Sequence, residues 1–581
     1  MTATSRQCSR IAATGAAIAV ALLAWTPPAV PGADRLPERT PGDEARLQAV
    51  RAFADRALER GRDRWSGRDT PLLADGLNVE TGEPVVWRFD GEEYIISNLA
   101  SQQNLFRALV GLSNLTGEPR YRQAAEDAVR YHFEHLAAEC GLLRWGGHQF
   151  VDLRTLEPVG HFDADCHELK CNYPFYELLW EVCPEATARY IRAFWNAHVR
   201  DWGLLDMNRH GSYGGELGPL WEHVFHDPEP FYEGDGLSFI NCGSDLIYAG
   251  GMLYRLAGEE GALTWSQRLA SMYVRARHPE TGLGVYQFSK PRRRQDPPDG
   301  PLTGRYTWST YGDRAENQFG AEFGDVAREG WALWGQARTI YARDGFVQLG
   351  MAEAMGEAGA DFLQWTADGL EAYARHAYVP EENHFRPMWA DGTDLTGYRI
   401  QRTGYYGEQG RELRPLRGDA DFLLVYARAF RLAERDALWE TARRIAAGLG
   451  LGEIGRRPGE AVALELDAPG DSPEEVFAML ELYRAAPDPA YLERARRVAD
   501  RIIERRLHDG FFFPGPGYLN ANFDRIEPLA ILALEATLRG APEQVPAHVG
   551  GRGYIHGRFD GLDRTYDHRA IWSVRRSEAG D

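Results

Sequence analysis

Cysteine is scarce in this chain, with 6 residues in 581, so the fold is not a small scaffold stapled by disulfides. Five of them (Cys140, Cys166, Cys171, Cys183 and Cys242) lie beyond the N-terminal leader, an odd number that cannot pair completely within the chain. Cys166 and Cys171 are close enough in sequence to form a local disulfide or to ligate a metal. Positive charge is also short: 65 Lys and Arg against 85 Asp and Glu give a formal charge of −20. That balance argues against nucleic acid and anionic membrane as partners. Long apolar runs are missing except at the start, where Arg6 and Arg10 precede Ile11–Trp25 and the stretch TPPAVPGAD. This has the length and charge of a signal peptide and is short for a membrane span. It predicts a leader over 1–32, cleavage near Gly32 or Ala33, and a periplasmic or secreted protein. An uncleaved anchor is the competing reading.

What is present is globular. Hydrophobic residues make up 44% and charged residues 26%, which suits a packed core rather than disorder. A Pro-rich linker occupies 33–42, and 43–581 reads as a single catalytic domain with a loosely ordered C-terminal tail. Aromatics reach 12%, with 16 Trp; they suit stacking on sugar rings, although large helical cores use them too.

Apolar spacing of three and four residues marks helices over Asp43–Trp65 and Ser97–Leu115. Helix–turn–helix units then recur: LFRALVGLSNLTGEPRYRQAAEDAVRYHFEHL, MLYRLAGEEGALTWSQRLASMYVRARH, LVYARAFRLAERDALWETARRIAAGL and MLELYRAAPDPAYLERARRVADRIIERRL. Such hairpins at a period of tens of residues are the mark of a helical repeat architecture. Several second helices run into short Gly- and aromatic-containing links (ECGLLRWGGHQF, HPETGLGVYQFS, PEENHFRPMW, HDGFFFPGPGY). The expectation is an all-α toroid with these β-like links gathered at the cleft end. An open solenoid is the alternative.

Polar chemistry concentrates between Trp145 and Glu233, where about half of the 16 histidines fall. His148 follows two glycines, Glu168 stands in CHELKC at the expected start of a helix carrying Tyr173, Phe175, Leu178 and Leu179, and His210 follows Arg209 in DMNRHG. Two imidazoles and a carboxylate suit a first-row divalent metal and leave positions open for substrate. Sequence distance alone does not bring them together. His223 and His226 read as structural, and Arg292–Arg294 as a solvated loop. The run GRYTWSTYGDRAENQFG offers Arg305, Trp308, Tyr311 and Arg314, either for sugar stacking and carboxylate pairing or as a packed loop.

The order GGH, HELK…YPFY, MNRHG resembles the pectate lyases of polysaccharide lyase family 2, including the exopolygalacturonate lyases, over most of 144–214 and more weakly at 311–324. The resemblance implies an (α/α)7 barrel and a transition metal (manganese, cobalt or nickel, ahead of calcium or zinc) held by His148, Glu168 and His210. It also implies Arg209 as the base, Arg314 as a further cation in the cleft, and a polyuronate such as polygalacturonate as substrate. Tyr173, in the YPFY step, is taken as a substrate contact. On intrinsic pKa Lys170 is the easier base, since free arginine stays protonated, so Arg209 ranks first and Lys170 second.

The chemistry suits these parts. In a uronate the C5 proton is α to the carboxylate; its removal expels the C4 oxygen, and a cation on the carboxylate stabilises the developing charge. An acidic substrate on an acidic protein demands a locally cationic cleft. Two other readings stay open. One is a toroid hydrolase using a carboxylate pair drawn from Asp163, Asp165, Asp206, Asp235 and Asp245; the other is a non-catalytic carbohydrate-binding toroid.

Overall fold

The helical periodicity of the sequence folds into a ring of hairpins. The computed structural model describes residues 36–89, 91–160, 166–234, 236–291, 313–551, 553–556 and 567–576. Fourteen helices among the described residues build the ring. The first half comprises α1 (Pro41–Gly61), α2 (Gln103–Thr116), α3 (Pro119–Tyr131), α4 (Tyr176–Val182), α5 (Pro184–His198), α6 (Ile240–Ala257) and α7 (Glu260–Arg275). The second comprises α8 (Gly345–Met355), α9 (Ala360–Ala377), α10 (Ala420–Ala433), α11 (Asp436–Gly448), α12 (Pro473–Ala485), α13 (Pro489–Arg506) and α14 (Glu527–Leu538).

Neighbours in sequence pair from α2–α3 through α12–α13, and α14 takes α1 as its partner from the other end of the chain. The inner helices α4, α6, α8, α10, α12 and α14 each pack on the next, α14 continues onto α2, and α3 packs on α4. The ring therefore closes as the (α/α)7 toroid, and the open solenoid is ruled out.

Composition sorts the helices into two layers. Every residue of α14 except Ala533 is buried, as a helix apolar on all sides requires. The outer α13 buries a stripe through Tyr491, Leu492, Ala495, Val498, Ala499 and Ile502, and its two buried arginines, Arg494 and Arg496, pair with Glu475 and Asp43. One continuous apolar core runs from Leu47 to Val545.

Short antiparallel hairpins follow the outer helices. Ala137 bridges Leu143 after α3, and Val199–Asp201 pairs with Asp206–Met207 after α5. Tyr378–Val379 pairs with His384–Phe385 after α9, Gly452–Glu453 with Ala463–Leu464 after α11, and Leu507–His508 with Phe511–Phe512 after α13. Those after α3, α9 and α13 are expected links, those after α5 and α11 are additional, and the expected link after α7 instead bridges Phe239 through Gln287. A larger sheet was not foreseen: β1 (Val86–Phe89), β2 (Glu92–Ser97), β3 (Gln149–Asp152) and β4 (Glu157–Gly160) form an antiparallel sheet in that order. It also corrects one helix. Ser97 ends a strand, pairing with Val151, and α2 starts only at Gln103. The β-branched pair Ile95–Ile96 favours the strand, and Asn98 then turns the chain by accepting from the Ala100 N–H.

Candidate functional site

Three segments meet at the barrel mouth: the run after the first link hairpin, the loop starting at Cys166, and the run after the second. Main-chain bonds knit them. The Gly147 N–H donates to the Glu168 carbonyl at 2.9 Å, and His167 and Gly211 exchange both of their N–H···O bonds, each 2.9 Å. Every one of these bonds lies within one residue of His148, Glu168 or His210. The glycines of GGH have a steric reason: a Cβ on Gly146 (φ 118°) would lie 2.1 Å from the Glu168 carbonyl oxygen, and one on Gly147 2.1 Å from the Tyr554 hydroxyl.

Glu168 does not begin a helix, contrary to the reading of the sequence. Cys171 (φ 55°) and Tyr173 (φ 46°) are left-handed, each disfavoured by about 1–2 kcal/mol, and α4 starts only at Tyr176. Asp245 on α6 holds this shape. It accepts from the N–H groups of Asn172 and Tyr173 at 3.0 Å each and from that of Cys171. Burial pushes the Asp245 carboxyl up to about 7. Tyr173, expected at the substrate, is instead fully buried, and its hydroxyl donates to Asp344 at 2.8 Å. A side chain so enclosed has no route to a sugar. Cys171 is likewise turned inward, its thiol facing Asp344 at 3.5 Å. It remains a free thiol and is not bonded to Cys166.

The side chains of the site surround one carboxylate. Glu168 is completely buried. His148 Nε2 lies 2.8 Å from its Oε2, and Lys170 Nζ, Arg209 Nε and His210 Nε2 lie 3.3, 3.5 and 3.6 Å from its Oε1. The Tyr554 hydroxyl donates to Oε2 at 2.5 Å. Burial alone would raise the Glu168 pKa; Lys170, His148 and Arg209 override it and hold the group well below the usual carboxylate range. Burial, aided by Arg209, brings His210 down to about 3, leaving a neutral imidazole. Two cations against one carboxylate make the spot locally positive, as an acidic substrate on a protein of charge −20 demands.

The donors suit a divalent metal. His148 Nδ1 is 2.6 Å from the His556 carbonyl oxygen. A carbonyl only accepts, so Nδ1 carries a proton, and Nε2 is the ring atom turned to Glu168. At 2.8 Å from Oε2, Nε2 shares either a proton or a cation with the carboxylate. Glu168 Oε1 accepts no hydrogen bond among the described residues. Ligands sharing one cation at about 2.0–2.2 Å sit roughly 3–4 Å apart; the His210–Glu168 separation of 3.6 Å is of that size, and the His148–Glu168 separation of 2.8 Å is slightly shorter. Cys166 also belongs here: one ligand atom each from His148, Cys166 and His210 lie within 4.8 Å of one another.

The remaining expectations divide. Arg314 is buried, its Nε 2.9 Å from Glu329 and its guanidinium 3.6 Å from the Tyr405 ring centre. It shares Phe239 with Arg209, both guanidinium groups stacking on that ring. Arg305, Trp308, Tyr311 and Arg292–Arg294 lie outside the described residues, as do Asp163, Asp165, Asp235 and the leader. Asp206 is engaged by the Gly236 N–H, so with Asp245 both described carboxylates of the hydrolase reading bind backbone. His223 stacks on Trp202, 4.9 Å between ring centres. The His226 N–H donates to the Gly203 carbonyl at 2.8 Å.

The sequence reading missed Tyr554 and His556. They lie on a Gly-rich strip near the C-terminus, which docks through the His556 N–H on the Gly147 carbonyl at 2.8 Å. Its composition, GGRGYIHG, repeats the Gly, aromatic and His mixture of the links and was the available signal. A polar cleft continues from Gly551 and Gly553 past Arg343, Arg506 and Arg525. Arg506 and Arg525 both pair with Glu527, whereas Arg343 makes no ion pair among the described residues.

The chain matches the family described as periplasmic pectate lyase over residues 70–558. It is 38% identical over 518 residues to the pectate disaccharide-lyase of Dickeya dadantii (strain 3937), covering 87% of this chain and 92% of that protein. Among solved structures it is similar to a D-mannose isomerase (12% identity, 76% of this chain and 96% of that one, TM-score 0.38). It is also similar to a sugar epimerase from a ruminal bacterium (11% identity, 85% and 99%, TM-score 0.38). No helix among the described residues is long and apolar enough to cross a membrane.

Proposed function

Because the chain belongs to the periplasmic pectate lyase family, and is therefore a polysaccharide lyase that cleaves pectate, we propose that it does so by β-elimination at a divalent-metal centre held by His148, Glu168 and His210. The observation that carries this reading is the meeting of both imidazoles, Lys170 and Arg209 on one buried carboxylate. Manganese, cobalt and nickel suit the nitrogen and oxygen donors. A divalent cation bound there supplies Lewis acidity, drawing charge from the uronate carboxylate and making the C5 hydrogen more acidic.

The protein's own groups do the rest. Glu168 stays ionised because three cationic or ring neighbours outweigh its burial, and Tyr554 fixes its Oε2. The His556 carbonyl sets the tautomer of His148. Arg209, stacked on Phe239 with its Nε beside Glu168, is read as the group that takes the C5 proton, after its resting guanidinium has given one proton to solvent and become a neutral guanidine. The C5–H electrons become the C4=C5 double bond, and the C4 oxygen departs with its bonding pair and takes a proton from solvent to become the hydroxyl of the released chain. Lys170, held 4.8 Å from the Tyr554 ring centre, is the substrate-carboxylate clamp and the second candidate base. Arg314, neutralised by Glu329, steadies Phe239 and Tyr405 rather than gripping sugar. Arg343 meets a neighbouring uronate along the cleft. The name of the Dickeya relative supports release of disaccharides.

The test is a polygalacturonate digest with chelated enzyme, followed by return of Mn²⁺, Co²⁺ or Ni²⁺. Ultraviolet absorbance of unsaturated uronides should vanish on chelation and come back with metal, and disaccharide should dominate early products. New reducing ends without that absorbance would overturn the elimination; activity indifferent to thorough chelation would overturn the metal.

A further inference from the structure

We propose that Cys166 is a fourth protein ligand of this centre, its thiolate sulfur joining His148, Glu168 and His210 on the cation. The inference rests on the metal reading above and deepens it. Four observations lead to it. Cys166 is buried, 6% exposed, and its Sγ lies with the ligand nitrogens of His148 and His210 inside a 4.8 Å cluster. The chain from Cys166 to Glu168 is extended and paired: His167 exchanges hydrogen bonds with Gly211, and Gly146 bridges Glu168. In extended chain, residues two apart share a face, so Cys166 and Glu168 are presented together. His167, between them, goes the other way. Its Nε2 accepts from Trp145 Nε1 at 3.2 Å, and its Nδ1 sits 2.9 Å from His198 Nε2, so that imidazole is committed to the core, and the sulfur is the group left with the two other imidazoles.

A sulfur in the set changes the metal preferred. Thiolate is a soft donor that suits Zn²⁺ and Co²⁺ better than Mn²⁺ or Ca²⁺. It would also leave one position fewer for substrate than a three-ligand site. Occupancy would then follow which thiophilic metals are available as well as the geometry of the two histidines.

The experiment uses the full chain stripped with a chelator and titrated with Co²⁺, read by absorption. Bound Co²⁺ should show visible ligand-field bands together with an intense near-ultraviolet sulfur-to-metal charge-transfer band. Cys166→Ser should keep the ligand-field bands, lose the charge-transfer band, and lower the preference for Co²⁺ over Mn²⁺ by roughly tenfold or more, at least the loss seen for partners one shell further out. Cys171→Ser, whose thiol faces Asp344 instead, should retain the band. Ligand-field bands without charge transfer in the unmodified protein would overturn the proposal however the variants fold, as would a band that survives Cys166→Ser. No Co²⁺ binding at all would remove the metal reading itself, and this proposal with it.

Discussion

The link hairpins after α3 and α5 are built like those after α9 and α13, yet their histidines end in different places. His148 and His210 both come after the hairpin, on the returning run that crosses toward neighbouring loops, and both face Glu168. His384 and His508 sit inside their hairpins. His384 faces Glu382 at 3.2 Å, and His508 lies 3.0 Å from the Arg505 carbonyl. The scaffold repeats around the ring; the chemistry belongs to what the chain does as it leaves the hairpin. The far half is held differently, by ion pairs between inner helices: Glu353 on α8 reaches Arg428 and Arg431 on α10, and Arg431 reaches Glu481 on α12.

The largest expected effect breaks this contrast directly. Glu168→Gln should lower kcat by about three decades, about 4 kcal/mol, and release metal, while His384→Ala stays within about twofold, the surface-substitution scale; elimination rate and metal content measure both. Equal losses would show that the two kinds of hairpin are not distinct. Next comes the base. Arg209→Ala should cost roughly 10²–10⁴ in kcat, and Lys170→Met less. Lys170 is one of only two lysines, so reductive methylation with ¹³C-formaldehyde gives two lysine resonances beside that of the terminal amine, assignable by Lys290→Arg. A Lys170 signal titrating with the same pH as kcat would move the base from Arg209 to Lys170. Tyr554→Phe removes a hydrogen bond to a buried carboxylate and should lower activity by roughly ten- to a hundredfold, about 1.5–3 kcal/mol, with fold retained by circular dichroism. Arg343→Ala should raise KM for polymer several-fold with kcat unchanged, about 1 kcal/mol of binding; a fall in kcat instead would place Arg343 at the reacting sugar.

The smallest effect concerns the far half. Arg431 and Arg428 outweigh burial and bring Glu353 down to about 2, so its ionised form stabilises the folded chain above the unfolded value near 4.5 and that stability is lost as pH falls toward 2. Glu353 is about a third exposed, so the gain is small, about 1 kcal/mol or less. Glu353→Gln should lower Tm slightly at pH 7, with the gap closing below about pH 4.5. A gap that does not change with pH would mean packing, not charge, joins these helices.

The toroid was legible because each hairpin is local: apolar spacing, a short turn and a Gly-aromatic link all lie within one unit. His148, Glu168 and His210 stood out for residue type, but their convergence depends on bonds such as Gly147 to Glu168 and His167 to Gly211, which no spacing encodes. The helical reading of the stretch after Glu168 failed because Asp245, 74 residues beyond Cys171, stabilises left-handed backbone that local propensity disfavours. Tyr173 was misplaced for the same reason. Tyr554 and His556 escaped because a Gly-rich terminal strip has no periodicity, and nothing local reveals that it docks on Gly147.

That docking has a consequence for biosynthesis. The strip bearing Tyr554 and His556 reaches residues almost four hundred positions earlier, and α14 must seat against α1 before the ring closes. A growing polypeptide can assemble hairpin after hairpin and still lack the hydroxyl and carbonyl that orient Glu168 and His148. Competence therefore arrives late and all at once, and an unfinished chain is a barrel without a working mouth.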